Sequence, residues 1–203
     1  MGSFTIEEKF EKLKKVFEKN NFNFVPLRQA TAEEFYHAIG QAKKTNPYGP
    51  FVEQHTIEEY TDMPFLFLTF DCSAGVAITQ DNNIVSIFNG GQQKGLLKTL
   101  IPTALEFGGN KLDNYDSDKL SSLYELYGFN PISKVRFNET FASSDWNYER
   151  DGKPDIVFWL HKGDDVDTVL YNFGEYDIDW DCVEEFSTYE EAKKYRDAKE
   201  HED

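Results

Sequence analysis

Two cysteines, Cys72 and Cys182, are all that the 203 residues contain, and they are not spaced as metal ligands. A reduced, intracellular setting is the simplest reading of such sparse thiol usage. Histidine is equally thin. His37, His55, His161 and His201 are scattered, and no two stand at the i, i+4 spacing of a helical metal pair. His37 reads as a solvated helix residue and His161 as a structural residue closing a strand. Long apolar runs are missing too: the longest, 63–70, is broken by Pro64 and is strand-sized, far from the ~20 residues of a membrane-spanning helix. The opening ten residues are amphipathic and acidic, without the apolar core of a signal peptide. Ile6 stands where a myristoylation motif carries Ser or Thr. The expectation is a cytoplasmic chain with no membrane and no metal. Basic charge is short as well, at 21 Lys and Arg against 37 Asp and Glu, a net of −16. That balance argues against nucleic acid, whose phosphates need cationic partners.

What the chain does have is apolar bulk. Hydrophobic residues make up 39% and aromatics 16%, with 18 Phe, enough for a folded globule with a substantial core. The acidic excess is uneven: residues 161–203 hold 15 acidic and five basic side chains. The reading that follows is an N-terminal helix over 1–22, a central domain over 23–163 and an acidic extension over 164–203. Within the extension, Asp177, Asp179 and Asp181 imitate the start of a calcium loop. The sixth place is Cys182 instead of Gly and the twelfth is Thr188 instead of Glu, which argues against calcium. Two readings stay open there. Either an acidic surface with Tyr176, Trp180 and Phe186 binds a basic partner or folds back, or the segment is a solvated tail.

Local signals order the rest. Thr5-Ile6-Glu7-Glu8 and Thr31-Ala32-Glu33-Glu34 have capping-box form. Each precedes apolar residues at helical spacing: Ile6, Phe10, Leu13 and Phe17, then Phe35, Ala38, Ile39 and Ala42. A short strand over 23–28 separates the two helices. Residues 46–50, with two prolines and a glycine, must be irregular. A short helix over 56–60 leads to strands over 64–71, 75–79 and 83–89, joined by brief turn-rich links as in an antiparallel meander. Then follow a glycine-bearing loop, a helix, a strand at 111–116, a helix ending at Gly128, and strands over 133–138 and 155–161. The long polar loop between those last two strands reads as a binding edge. In the tail, 168–173 reads as a strand, and Ser187-Thr188-Tyr189-Glu190 opens a final helix. The class is α/β or α+β with a mixed sheet.

The order of elements over 23–162 resembles the GNAT superfamily of acyl-CoA-dependent N-acyltransferases. VPLRQATAEEFYHAI resembles that family's opening strand and first helix, and FLFLTF, GVAIT and NIVSIFN its three-strand meander. QQKGLL is similar to its pyrophosphate loop, and LYELYGF to its helix ending in Tyr-Glu-x-x-Gly-Phe. The wording of KLDNYD, LYELYGF and PDIVFW further resembles small GNAT-like proteins of phages and prophages. The resemblance implies a GNAT-like central mixed sheet flanked by helices, with acetyl-CoA as acyl donor. It implies that Gln92, Lys94, Gly95, Leu96 and Leu97 hold the pyrophosphate, with Lys98 near, and that the backbone of Ser86, Ile87 and Phe88 receives the pantetheine. Tyr124 would be the general acid that protonates the departing thiolate. One position departs: Leu97 stands where the family carries Gly or Ala.

A general base for the attacking amine would be a carboxylate or His near the meander; Glu53, His55 and Asp71 are the candidates. Tyr124 and Tyr127 also have a plain reading, as half-buried aromatics of an amphipathic helix. Two functions are therefore expected to compete. The first is acetyl transfer from acetyl-CoA to a primary amine on a small molecule or protein. The second is a non-catalytic GNAT-like interaction protein whose acidic C-terminal surface binds a basic host or virion protein.

Overall fold

The computed structural model describes residues 4–91, 93–142, 144 and 146–202. In chain order the elements are α1 (Ile6–Lys19), β1 (Leu27–Gln29), α2 (Ala32–Thr45), α3 (Ile57–Thr61), β2 (Phe65–Thr69), β3 (Ala74–Ile78) and β4 (Ile84–Asn89). They continue with α4 (Leu97–Glu106), β5 (Lys111–Tyr115), α5 (Asp118–Glu125), β6 (Phe129–Val135), α6 (Tyr148–Asp151) and β7 (Ile156–His161). The chain closes with α7 (Val166–Tyr171), β8 (Glu184–Phe186) and α8 (Tyr189–Lys199). The fold is α+β. Among the described residues its strands form two four-stranded sheets, ordered β1-β2-β3-β4 and β5-β7-β6-β8. Two compact units result: residues 1–110 with 164–172, and residues 111–163 with 173–203.

In the first unit the meander is antiparallel throughout. Alternation along β2 decides which helices cover which face. Leu66 and Leu68 join Phe35, Ile39 and Ala42 of α2 and Tyr60 of α3 in one buried cluster. Phe67, pointing the other way, meets Phe10 of α1 and Phe107 after α4, at ring distances of 5.3 and 4.6 Å. A sheet covered on both faces has to read as a near-continuous apolar run, and FLFLT does. The helix starts are local. Thr5, Thr31 and Thr56 each accept a bond from the backbone three residues on, and Glu8, Glu34 and Glu59 reach back to complete three capping boxes. The first strand is shorter than the expected 23–28, because only Leu27–Gln29 pairs with β2.

The strand expected over 168–173 is corrected: 168–171 belong to helix α7 (Val166–Tyr171), capped by the Asp165 side chain, and 172–173 turn away from its end. Its buried residues are Val166, Val169 and Leu170, which is helical spacing, and it packs on α1 and α4 in the first unit.

In the second unit β7 lies between β5 and β6, antiparallel to both. Ile156 and Phe158 face Ala192 of α8, while Trp159 meets Tyr124 of α5 at 6.0 Å between ring centroids. Strand β6 starts at Phe129, four residues before the expected 133, and Pro131 lies at its irregularity. Strand β8 adds to β6 in parallel. The acidic 164–203 segment therefore supplies α7 to the first unit and β8 and α8 to the second.

A polar cluster fixes α8. The guanidinium of Arg196, fully buried, donates to the Leu112 carbonyl and to Asp197 and lies over the Phe158 ring. Lys111, 5% exposed, pairs with Glu200 at 2.6 Å, and Asp197 is 3.7 Å from it. Burial alone would push the Asp197 carboxyl up; hydrogen bonds from Lys193 and Arg196 and the charges of Arg196 and Lys111 outweigh it, and the group ends below the usual range.

Candidate functional site

Most of the sequence-derived site residues fall on one stretch of the first unit, from β4 through its following loop into α4. Strand β4 is the end strand of its sheet. Its pairing with β3 matches Val85 to Ala77 and Phe88 to Gly75, so Ser86 and Ile87 have no Cα partner across the ladder. Ser86 has φ +50°, in the left-handed region that non-glycine residues seldom occupy. This is a β-bulge, which bends a strand and redirects what it presents.

The side chains of Ser86 and Phe88 do not reach outward, whereas Ile87 between them is half-buried. Ser86 is buried, donating its hydroxyl proton to the Glu53 carbonyl at 3.0 Å and lying 2.9 Å from the Tyr60 hydroxyl. Phe88 packs against Phe35 at 5.6 Å. Any ligand at 86–88 would therefore be met by backbone and by the half-buried Ile87 side chain.

After β4 the chain turns on Asn89. Its Oδ1 accepts from Gly91 N and its Nδ2 donates to the Gln93 carbonyl, while Gly90 N bonds Ser73 O. Gly90 allows a close approach, since a Cβ there would lie 2.5 Å from Ala42 Cβ. Gly95 is needed for its φ of +80°, and nothing lies within 4 Å of where its Cβ would be. Helix α4 then starts with no side-chain cap. The amides of Lys98, Thr99 and Leu100 bond back to Gly95 and Leu96 carbonyls. Among the described residues, no hydrogen bond engages the amides of Gly95, Leu96 and Leu97. Leu96 is 1% exposed and anchors the helix start in the core, whereas Leu97 is half-buried. Lys94 is exposed and forms no ion pair among the described residues. Lys98 lies near the Phe22 ring, 5.9 Å from its centroid. Gln92 lies outside the described residues.

The three candidate bases are also in the first unit. Asp71 is committed to its turn: Oδ1 accepts from the hydroxyls of Thr69 and Ser73 and from the Ser73 amide. The Thr69 bond, foremost, with those from Ser73 holds its carboxyl below the usual range. Glu53 is exposed and lends the fold its backbone carbonyl. His55 lines a shallow pocket with Tyr36, Gln54, Thr56 and Ile57. Its Nδ1 lies 3.8 Å from the Glu59 carboxylate, and its Nε2 is buried without a hydrogen-bond partner among the described residues.

Tyr124 belongs to the second unit. It is 7% exposed, between Phe129 and Trp159. Burial, and secondarily the nearby Asp113 charge, push its phenol far above the usual value, so it stays protonated at any working pH. Tyr127 is fully buried, its phenol pushed up by burial alone. The helix ends as expected: Gly128 has φ +79°, and a Cβ there would sit 2.7 Å from the Tyr176 ring. Trp180, 39% exposed, donates to Glu125 at 2.7 Å. Asp179 is occupied by the Asp181 amide and the Cys182 thiol. Among the described residues no group of three His, Cys, Asp or Glu side chains could hold a metal, and no helix is long and apolar enough to cross a membrane.

Sequence reasoning passed over Tyr60 and Asn89. The Asn89-Gly90 pair was a turn signal for the second, but nothing local to Tyr60 shows that it meets Ser86, 26 positions away.

The class that fold and site define is thus an α+β protein with an open-ended strand leading into an uncapped helix start. No family model, curated protein or solved structure matches the chain.

Proposed function

We propose that the β4–loop–α4 corner of the first unit binds the diphosphate and pantetheine of acetyl-CoA, in a GNAT-like N-acetyltransferase acting on a primary amine. One observation carries the reading. Three successive amides, those of Gly95, Leu96 and Leu97, are unengaged among the described residues at the start of the ten-residue helix α4. Such amides and the helix dipole together favour a phosphate, and Lys94 adds an exposed positive charge. The residues present fit the group: its phosphate oxygens need donors and these are available. The Leu96 side chain points into the core, whereas Leu97, the large residue where the resembled family carries Gly or Ala, is half-buried at the helix start.

Acetyl-CoA would supply an activated acyl thioester. The chain's own part is to hold it: amides of 95–97 on the diphosphate, backbone of 86–88 along the pantetheine amides. A cationic acceptor such as a polyamine, aminoglycoside or lysine-bearing protein suits a chain of net charge −16.

The test is thermal shift and calorimetry with acetyl-CoA. Binding raises the melting temperature by mass action, with about 2.7 kcal/mol of stabilisation at a hundredfold excess over Kd; no shift at about 1 mM overturns the reading.

A second reading is favoured by the second unit. Exposed Asp177, Asp179 and Asp181 surround Trp180, itself 39% exposed. In this alternative the chain is a non-catalytic, GNAT-like interaction protein, of the kind phages and prophages encode, that binds a basic protein through this surface. Trp180→Ala with Asp177→Asn would then abolish capture of that partner while acetyl-CoA has no effect.

A further inference from the structure

Ser86 holds an unusual conformation with no glycine to ease it, and the surrounding bonds show what keeps it there. Its hydroxyl has one proton, and that proton goes to the Glu53 carbonyl at 3.0 Å. The contact of 2.9 Å between Tyr60 Oη and Ser86 Oγ must then be donated by Tyr60. Tyr60 Oη in turn accepts from the His55 amide at 3.2 Å. The result is a directed chain: His55 amide to Tyr60 hydroxyl, Tyr60 hydroxyl to Ser86 hydroxyl, Ser86 hydroxyl to Glu53 carbonyl. It starts and ends on residues 53–55, and all four groups belong to the first unit.

The members have no freedom to point elsewhere. Tyr60 is fully buried, its ring against Phe35 at 4.9 Å and His55 at 5.6 Å. Burial, more than any neighbouring bond, pushes its phenol above the usual value. Water cannot stand in for a lost partner in such a place, so the chain is intact or it leaves buried groups unpaired. Helix α3, which carries Tyr60, is only five residues long, yet it is fixed by its own capping box.

We propose that Tyr60 and Ser86 form a latch that holds the Ser86–Ile87 bulge of β4 in its ligand-presenting shape, making both of them positioning residues. The inference rests on the acyl-CoA reading for the identity of that ligand, while the latch is a property of the first unit alone. Neither hydroxyl touches the acyl donor: each acts through the backbone it fixes. The bulge puts the outward backbone of β4 out of step with a regular strand, and an unlatched β4 would relax toward ordinary pairing with β3. The latch also joins the bulge to residues 53–55, so that the pocket formed by Tyr36, Gln54 and His55 and the edge of β4 move as one body.

Amide hydrogen exchange by NMR, with acetyl-CoA calorimetry, tests this in Tyr60→Phe and Ser86→Ala. Both should speed exchange at Ser86 and Ile87 by about fivefold or more, the equivalent of one net hydrogen bond, with Phe35 and Ile39 in α2 unchanged. The acetyl-CoA Kd should weaken by about the same factor. Exchange that is unaltered at 86–88, or that rises uniformly through α2 and β2, overturns the latch. If Ser86→Ala does not fold, Ser86→Gly decides, since glycine accepts the positive φ but lacks the hydroxyl. Wild-type exchange rates in that variant mean that the backbone alone holds the bulge, and the latch fails. A wild-type protein that ignores acetyl-CoA but shows the expected exchange pattern refutes the acyl-CoA reading and leaves the latch standing. A Kd that Tyr60→Phe does not change refutes the positioning role.

Discussion

Gly128 answers two separate demands. Its φ of +79° lies where side chains are strained, and the Tyr176 ring occupies the space a Cβ would need, at 2.7 Å. Gly95 answers only the first, having open space around it. The same substitution should therefore cost different amounts. Gly95→Ala is expected to lose roughly 1 kcal/mol, from backbone strain alone. Gly128→Ala should lose roughly 3 kcal/mol, because the aromatic packing must also shift. Urea denaturation of the two variants measures the gap, and equal losses would mean that Tyr176 moves aside freely. From sequence, Gly128 could be read as a helix stop. Its closeness to a tyrosine 48 positions later could not, because that contact arises only when the tail folds back. Tyr60 and Ser86 have the same standing: each residue type is ordinary, and only the fold pairs them.

At the scale of elements, the helix starts should behave as independent modules. Thr31→Ala removes the side chain that accepts from Glu34 N and leaves that amide unpaired. A loss of about 1 kcal/mol is expected, which for about 200 residues is a melting-point fall of roughly 2–4 °C. Calorimetry checks it, and a fall well beyond that range would show that the cap also organises Arg28, which pairs with Glu34 at 3.0 Å. Caps of this kind are why most of the helices could be read in advance: the signal lies within four residues. The meander was readable for a similar reason, its strands being apolar and its links short. Helix α7 was not, since DTVLYNF is a short apolar run in which strand and helix periods look alike. The Asp165 cap was the signal that would have separated them. Strand β8, with the residues Glu-Glu-Phe, has no strand signal of its own; it exists because β6 offers an edge. The loop before α4 was legible as a glycine turn, but the bulge in β4 was not, because a bulge is a relation between two strands.

On the scale of the molecule, charge is the dominant fact. A net of −16 gives self-repulsion that added salt screens, so the melting temperature should rise between low and moderate ionic strength. Acid acts in the opposite direction. Asp197 and Asp71 have carboxyls held below the usual range in the folded state. A depressed folded value gives stability that is present above the unfolded pKa and lost as pH falls through the folded one. Stability should thus be nearly flat from about pH 7 to 5 and fall below about pH 4. Asp197→Asn should flatten that acid limb; an unchanged limb would mean that the α8 cluster does not govern it. The chain's path sets a further condition. Helix α7 completes the first unit, yet it is encoded after the whole of the 111–163 block of the second. On a ribosome, residues 1–110 would emerge and wait for α7 to be made, on the order of several seconds at ordinary synthesis rates. During that interval the surfaces of α1 and α4 that Val166, Val169 and Leu170 later cover would be open to chaperones. Birth of this protein is therefore discontinuous, the first unit being finished only at residue 172 and the second only with the residues that follow it.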